Sequence, residues 1–271
     1  RPLGDPGRIR RKGALLNSTS GSTGANLRFW QSPAMRAENS AAVRMAYARI
    51  GVEYWSDRKV KVWGHSPSTN RIHAILEHAQ EFLLAQQTLQ AYELQVPTAL
   101  DYLEAIRRLG PRLLEGYPSY LERLAIAGDE AGVEAPEVGH VVASGEQVTS
   151  SGRDRVEKYF SRPLQARYGS REFGVIAHQE GGDRRYLVHP TRVVLENDDG
   201  ELLVTDLDNE FTPFVRYRIG DAGTVGVAGD VSGFGGQSIE ALTGRAHDTI
   251  TTPDGIVIPG QYWTLFSRVV P

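Results

Sequence analysis

The residues best suited to chemistry open with Ser18-Thr19-Ser20-Gly21-Ser22-Thr23-Gly24, just after the apolar run Ala14-Leu15-Leu16. Glycine lets main-chain N–H groups approach an anion with no Cβ in the way. Serine and threonine add hydroxyl donors, and together they form the kind of concave donor surface that cradles phosphate. The stretch is not a Walker loop, because no Gly-Lys-Ser/Thr follows it. Nor does it match the Gly-x-Ser-x-Gly elbow of a hydrolase. Taken alone, a flexible Ser/Gly linker explains it equally well.

Three further motifs lie downstream. Tyr168-Gly169-Ser170-Arg171-Glu172 follows a predicted strand. A carboxylate there could hold Mg²⁺, which prefers oxygen ligands and substrate phosphates, and the tyrosine ring could stack on a purine. The bland alternative is a turn with one surface glutamate. Pro213-Phe214-Val215-Arg216-Tyr217-Arg218-Ile219-Gly220-Asp221 ends on a carboxylate that could accept both ribose hydroxyls; an ordinary strand and Gly-Asp turn would read the same. Gly244-Arg245-Ala246-His247-Asp248 is, by itself, a surface loop of mixed charge. Each motif is modest alone, whereas four in this order are hard to assign to chance.

The elements that must position them follow from periodicity. Residues 1–13 read as a loop and Leu15-Leu16 as a short buried strand. Residues 39–50 have helical spacing, and Lys59–Trp63 alternates like a strand. Ile72, Ile75, Leu76, Ala79, Phe82 and Leu83 mark an amphipathic helix. Another helix starts at Thr98 and stops at Gly110-Pro111. Ser119 with Glu122 forms a capping-box pattern for a third, ending near Gly128. Val138–Ala143 reads as a strand, 149–160 as a helix and Leu164–Tyr168 as a strand. Beyond residue 173 the segments 175–178, 186–189, 192–196, 201–206 and 214–219 are strand-like, with a hairpin at Asp199-Gly200. The βαβ rhythm followed by strands predicts an α/β fold with a β-rich second part.

Composition narrows the function. Thirty Lys+Arg against 33 Asp+Glu, a net charge of −3, argue against a nucleic-acid groove. No apolar run approaches bilayer-spanning length, so no membrane partner is expected. The absence of cysteine excludes disulfides, thiolate metal sites and a cysteine nucleophile. A cytoplasmic location is the default expectation, and the first residue is not Met, so a missing N-terminal part is expected. His65, His73, His78, His140, His178, His189 and His247 show no metal-ligand spacing with an acidic partner and read as core or surface residues.

The four motifs in order resemble the adenylate-forming superfamily of acyl- and aryl-CoA ligases, adenylation domains and luciferases. The likeness is closer to the phenylacetate–CoA ligase branch and its capsular-polysaccharide-type relatives. Gly116-Tyr117-Pro118-Ser119, Ser144-Gly145-Glu146 and the phrase Phe211–Asp221 carry that part of it. The likeness runs from about residue 14 to 260. It implies the large N-terminal domain of such an enzyme over 1–243, with the hinge and the beginning of a small lid domain over 244–271. The activity implied is ATP-dependent conversion of an aryl, acyl or amino acid to an acyl-adenylate, with pyrophosphate released and the acyl group passed to CoA, a carrier-protein thiol or an amine. Homodimers occur among such relatives. A catalytically silent nucleotide-binding homologue, acting as scaffold or regulator, is the alternative.

By matching motifs, the resemblance implies that Thr19, Ser20, Gly21, Ser22, Thr23 and Gly24 hold the β- and γ-phosphates of ATP. Ser144, Gly145 and Glu146 then lie along adenine, with Tyr168 against its face and Gly169 and Ser170 beside it. Glu172 is the implied Mg²⁺ ligand, Asp221 the ribose ligand and Arg245 a reach to ribose or phosphate. Trp63, His65, Tyr117, Pro118 and Phe173 are implied walls of the acyl pocket. The chain departs from the pattern at four places. Arg171 replaces the usual threonine before the metal-binding glutamate; it either contacts the α-phosphate through a charge-assisted bond or marks a different acceptor. The glycine loop lacks its common lysine, Ala25-Asn26-Leu27 following Gly24, and His247 stands where an acidic hinge residue is frequent. The implied lid, with its catalytic lysine, is expected to be largely absent, which with the short N-terminal part reads as a fragment, a truncated version or a chain whose ends are missing.

Overall fold

The computed structural model describes residues 13–19, 27–64, 71–90, 96–229, 236–245, 249–251 and 257–259. In chain order the elements are β1 (Leu15–Ser18), β2 (Arg28–Gln31), α1 (Pro33–Arg49), β3 (Lys59–Trp63), α2 (Arg71–Leu83), β4 (Gln86–Gln90), α3 (Val96–Leu109), β5 (Leu113–Gly116), α4 (Pro118–Glu130), β6 (His140–Ser144), α5 (Ser150–Phe160) and β7 (Leu164–Ser170). Strands then dominate: β8 (Gly174–His178), β9 (Tyr186–Val188), β10 (Val193–Asp198), β11 (Glu201–Asp206), β12 (Tyr217–Ala228), β13 (Gly236–Arg245), β14 (Thr249–Thr251) and β15 (Val257–Pro259). The fold is α/β, and the division into a helix-rich first part and a β-rich second part matches the sequence reading.

Two compact units share the chain. The helix-rich unit comprises Ser40–Ser170 and His178–Arg184. Its strands lie in the order β4-β3-β5-β6-β7, all parallel. Parallel strands need a crossover between them, and α2, α3, α4 and α5 supply the four. A sheet covered on both faces requires apolar residues in consecutive positions: Leu113-Leu114 in β5 and Val141-Val142-Ala143 in β6 are all buried. One core joins Val60, Val62, Leu114, Val141 and Ala143 of the strands to Leu103 and Ile106 of α3, Leu121 and Leu124 of α4 and Val156 of α5. A second cluster packs Tyr47 of α1 and Val52 against Leu113 and Val142. Gly128 is required where it stands, because a Cβ there would occupy the space of the Tyr159 hydroxyl, which donates to the Val133 carbonyl at 3.1 Å.

The strand-rich unit comprises Arg1–Asn39, Arg171–Ala177 and Arg185–Pro271. Its strands follow the order β10-β11-β12-β13-β9-β8, with β10 through β13 antiparallel to one another. Asp199 and Gly200 have φ of 50° and 82°, the left-handed pair that a tight two-residue hairpin demands, and Asp198 faces Glu201 across it. The β1–β2 hairpin pairs Leu15 with Gln31 and Ser18 with Arg28.

Several details differ from the sequence reading, and the following have a local reason. Leu15 and Leu16 form a strand but are 52% and 39% exposed rather than buried, since β1 pairs only with β2. The helix around Ile75 exists, yet Ile75, Leu76, Phe82 and Leu83 are 60–86% exposed; helical spacing sets the helix, and burial needs a packing neighbour as well. The predicted strand at 214–219 begins only at Tyr217, because Arg216 takes a φ of 48°. The polar strand β4 and the long β13 lack apolar alternation and escaped notice. Finally, Ser119 does not cap α4: Tyr117 occupies the N-cap with no side-chain hydrogen bond, and Pro118 opens the helix.

Candidate functional site

In the helix-rich unit the parallel register aligns the carboxyl ends of the strands. Val62 faces Gly116, Gly116 faces Ala143, and Ser144 faces Arg167. Trp63, Tyr117, Gly145 and Tyr168 therefore sit one step further on, at one edge. The chain leaves β3 for β4 on one side, then returns past β3 to β5 on the other. The carboxyl ends at such a reversal are where open α/β sheets bind ligands. Trp63 and Tyr117 stand at this place, stacked with ring centroids 4.2 Å apart at 23° and both half-buried.

Gly145 makes that stack possible. Its φ is +88°, and a Cβ there would lie 2.5 Å from Tyr117 Cε1. Gly145→Ala is expected to push the Tyr117 ring off Trp63 and to cost about 1–3 kcal/mol. A changed near-UV circular dichroism spectrum with a lowered thermal midpoint is the expected result, and neither would change if the contact were slack. Tyr168 is buried, Gly169 exposed and Ser144 and Ser170 half-buried.

Pro118 has no N–H to lose at the first position of α4. The Ser119 N–H one residue on is met by Glu146, whose Oε2 accepts from it at 3.2 Å. The helix start thus receives a carboxylate from the end of β6, favoured by the helix dipole, while Glu122 pairs with Arg155 at 2.8 Å.

Beneath the aromatic pair lies a polar cluster that pattern reading missed. Glu115 of β5, 1% exposed, accepts from Arg167 of β7 and from the Tyr47 hydroxyl. Lys61 of β3 stands 3.6 Å away, and Arg167 also donates to Tyr47 Oη at 3.3 Å. Burial alone would raise the Glu115 pKa; Arg167 and Lys61 override it and hold the carboxyl down at about 2. Burial and then Glu115 raise that of Tyr47, keeping its hydroxyl a donor. The available signal was a lone Glu between buried Leu114 and Gly116, since a charge inside an apolar strand must be paired.

In the strand-rich unit the described ends of the glycine loop are fixed. Thr19 N–H donates to the Leu27 carbonyl at 3.0 Å, and Leu27 N–H to Thr19 Oγ1 at 3.2 Å. Arg171 Nη1 donates to the Ser18 carbonyl at 3.0 Å, and Gln31 Nε2 to the Arg171 carbonyl at 3.1 Å. The hairpin is anchored in turn through Trp30, whose N–H donates to Thr212 Oγ1 at 3.0 Å and whose carbonyl accepts from Asn209 at 2.9 Å. Arg171 and the loop's mouth are thus brought together. Asp221 and Arg245 are likewise brought together, as directly paired residues of β12 and β13. Phe173, with no exposed surface, packs 5.4 Å from Phe214 and 5.9 Å from Tyr217. Ser20, Gly21, Ser22, Thr23, Gly24, His65 and His247 lie outside the described residues.

Glu172 is half-buried and, among the described residues, makes no hydrogen bond or ion pair. Among those residues no cluster of three or more His, Asp or Glu could by itself enclose a metal. One unpartnered carboxylate fits Mg²⁺, which keeps most of its shell for water and substrate phosphate and takes only one or two carboxylates from protein.

No family model matches the chain. Protein CapK of Staphylococcus aureus is 25% identical over 225 residues, covering 79% of this chain and 49% of that protein. Indoleacetate–lysine synthetase of Pseudomonas savastanoi is 27% identical over 134 residues, 48% of this chain and 34% of the relative. The chain thus spans about half or less of the length of the curated relatives it matches. Among solved structures, the open conformation of 2-hydroxyisobutyryl-CoA ligase, in complex with 2-HIB-AMP and CoA, superposes over 94% of this chain and 62% of that one. The TM-score is 0.67 at 17% identity. None of the described helices is long and apolar enough to cross a membrane.

Proposed function

We infer from the adenylate-forming ligase fold, which this chain has, that the protein activates a carboxylic acid with ATP. A carboxylate oxygen attacks the α-phosphorus, the bond from that phosphorus to the bridging oxygen breaks, and pyrophosphate leaves with the acyl-adenylate remaining. The acyl group then passes to CoA, a carrier-protein thiol or an amine. The observation that carries this reading is the gathering of Trp63, Tyr117, Gly145 and Glu146 from three strand ends at the reversal point of a parallel sheet. A wall made of two stacked rings suits a flat aryl acid, in keeping with the phenylacetate–CoA ligase-like branch.

In this reading Thr19–Gly24 hold the β- and γ-phosphates, Ser144–Glu146 and Tyr168–Ser170 the adenine, and Asp221 the ribose hydroxyls, with Arg245 beside Asp221. Trp63, His65, Tyr117 and Pro118 shape the acyl side; Phe173, with no exposed surface, acts as packing rather than as a wall. Glu172 holds Mg²⁺, which supplies neutralisation of the phosphate charge that develops as the bond to pyrophosphate breaks. Arg171 contributes a fixed positive charge next to that glutamate, a preorganised donor of the type that stabilises transferring phosphate. The rest of the catalysis is positioning. Residues 1–243 act as the large domain and 244–271 as the hinge and start of a lid.

Acid-dependent exchange of labelled pyrophosphate into ATP, over a panel of aryl, acyl and amino acids, tests this directly. Exchange with one class of acid is expected. ATP binding with no exchange across the panel would favour a silent nucleotide-binding homologue.

A further inference from the structure

The cluster around Glu115 lies directly under the aromatic pair. Lys61 and Trp63 are two residues apart on β3, and Glu115 and Tyr117 two apart at the end of β5, where Tyr117 keeps an extended conformation (φ −66°, ψ 139°). Alternation along a strand puts each such pair on one face. Lys61 faces Glu115 in the parallel register, so the ion pair forms one layer and the Trp63–Tyr117 stack the next. Glu115 also reaches across β6 to Arg167, next to Tyr168 at the end of β7. One buried carboxylate therefore ties three of the strand ends that carry candidate site residues.

We propose that Glu115 is a positioning residue, which fixes the spacing of β3, β5 and β7 at their carboxyl ends and so holds the Trp63–Tyr117 pair in its stacked geometry. Glu115 touches no ligand in this account; it acts through Tyr117. The kinetic part of the claim rests on the proposed acid activation, whereas the structural part does not. A buried pair carried only for stability would be replaceable by apolar residues without functional loss. A positioning pair would not be.

The test is the paired substitution Glu115→Leu with Arg167→Met, with Lys61→Met as a second variant. Lys61→Met leaves the Glu115–Arg167 pair intact and cuts only the side-chain tie between β3 and β5, at a side chain that is 29% exposed. The near-UV circular dichroism of the Trp63–Tyr117 pair, identified by its loss in Trp63→Phe, is read first. The KM for the acid and kcat are read second, and the thermal midpoint third. We expect both variants to stay folded, to lose much of the paired-ring signal, and to raise KM for the acid about tenfold with a smaller change in kcat. Folded variants with the wild-type ring signal overturn the proposal. A lost ring signal beside wild-type KM and kcat overturns its kinetic part. A wild-type protein without acid-dependent exchange counts against the proposed function, while the ring signal still decides the positioning role.

Discussion

Glu172→Gln is expected to lower Mg²⁺-dependent adenylation by at least about 100-fold while leaving the fold intact, because a metal bound at transferring phosphate is worth several kcal/mol of charge stabilisation. Glutamine keeps the size of the side chain and removes one negative charge. Glu172 is half-buried and has no partner among the described residues, so removing its charge leaves nothing unpaired. Stability should stay within about 0.5 kcal/mol of wild type. The loss should be specific: ATP with Mg²⁺ should bind more weakly, and AMP, with a single phosphate, should bind much as before. Turnover equal to wild type would end the assignment of Glu172 as metal ligand. A large fall in thermal midpoint would show it to be a structural carboxylate.

Glu115→Ala carries the largest expected cost to stability. Removing one member of a buried ion pair leaves the other uncompensated and typically costs about 3–5 kcal/mol. Here Arg167 would be left with its charge buried, and Lys61 and the Tyr47 hydroxyl would lose an acceptor. At about 2–4 °C per kcal/mol for a chain of this size, the thermal midpoint should fall by roughly 10 °C. The same carboxyl makes wild-type stability depend on acid. Its pKa falls from an ordinary 4.5 in the unfolded chain to about 2 in the folded one. The unfolded state therefore takes up the proton first as pH drops. The stabilisation is complete above about pH 4.5 and is lost progressively down to about pH 2, an effect on the order of 3 kcal/mol. Glu115→Ala should lack that component. Denaturant titrations of both proteins between pH 6 and pH 2 measure it, and parallel pH profiles would contradict a depressed Glu115.

The order of elements was legible because periodicity and turn chemistry carry it. Leu103 and Ile106, or Leu121 and Leu124, show their helical stripe in the one-dimensional pattern and lie in the core. Asp199-Gly200 announces its hairpin through residues that accept positive φ. What escaped depends on neighbours distant in sequence. Gln86–Gln90 is a strand because β3 offers it a ladder, not because its residues favour one. Tyr117 starts α4 because Pro118 follows it, whatever the spacing of Ser119 and Glu122 suggests. The motifs of the candidate site could be found one by one, yet their arrangement could not. Asp221 and Arg245 become partners through the register of β12 and β13, and Arg171 meets Ser18 across 153 residues of sequence. The Glu115 cluster joins β3, β5, β7 and α1, so no local pattern contains it.

Mass spectrometry of the protein incubated with ATP, Mg²⁺ and pooled carboxylic acids reads the acyl-adenylate itself. The predicted result is one or a few acyl-AMP masses that require both ATP and the acid and that disappear with Glu172→Gln. An ATP-bound protein that yields no acyl-AMP from any acid, or the same yield with Glu172→Gln as with wild type, would contradict the account.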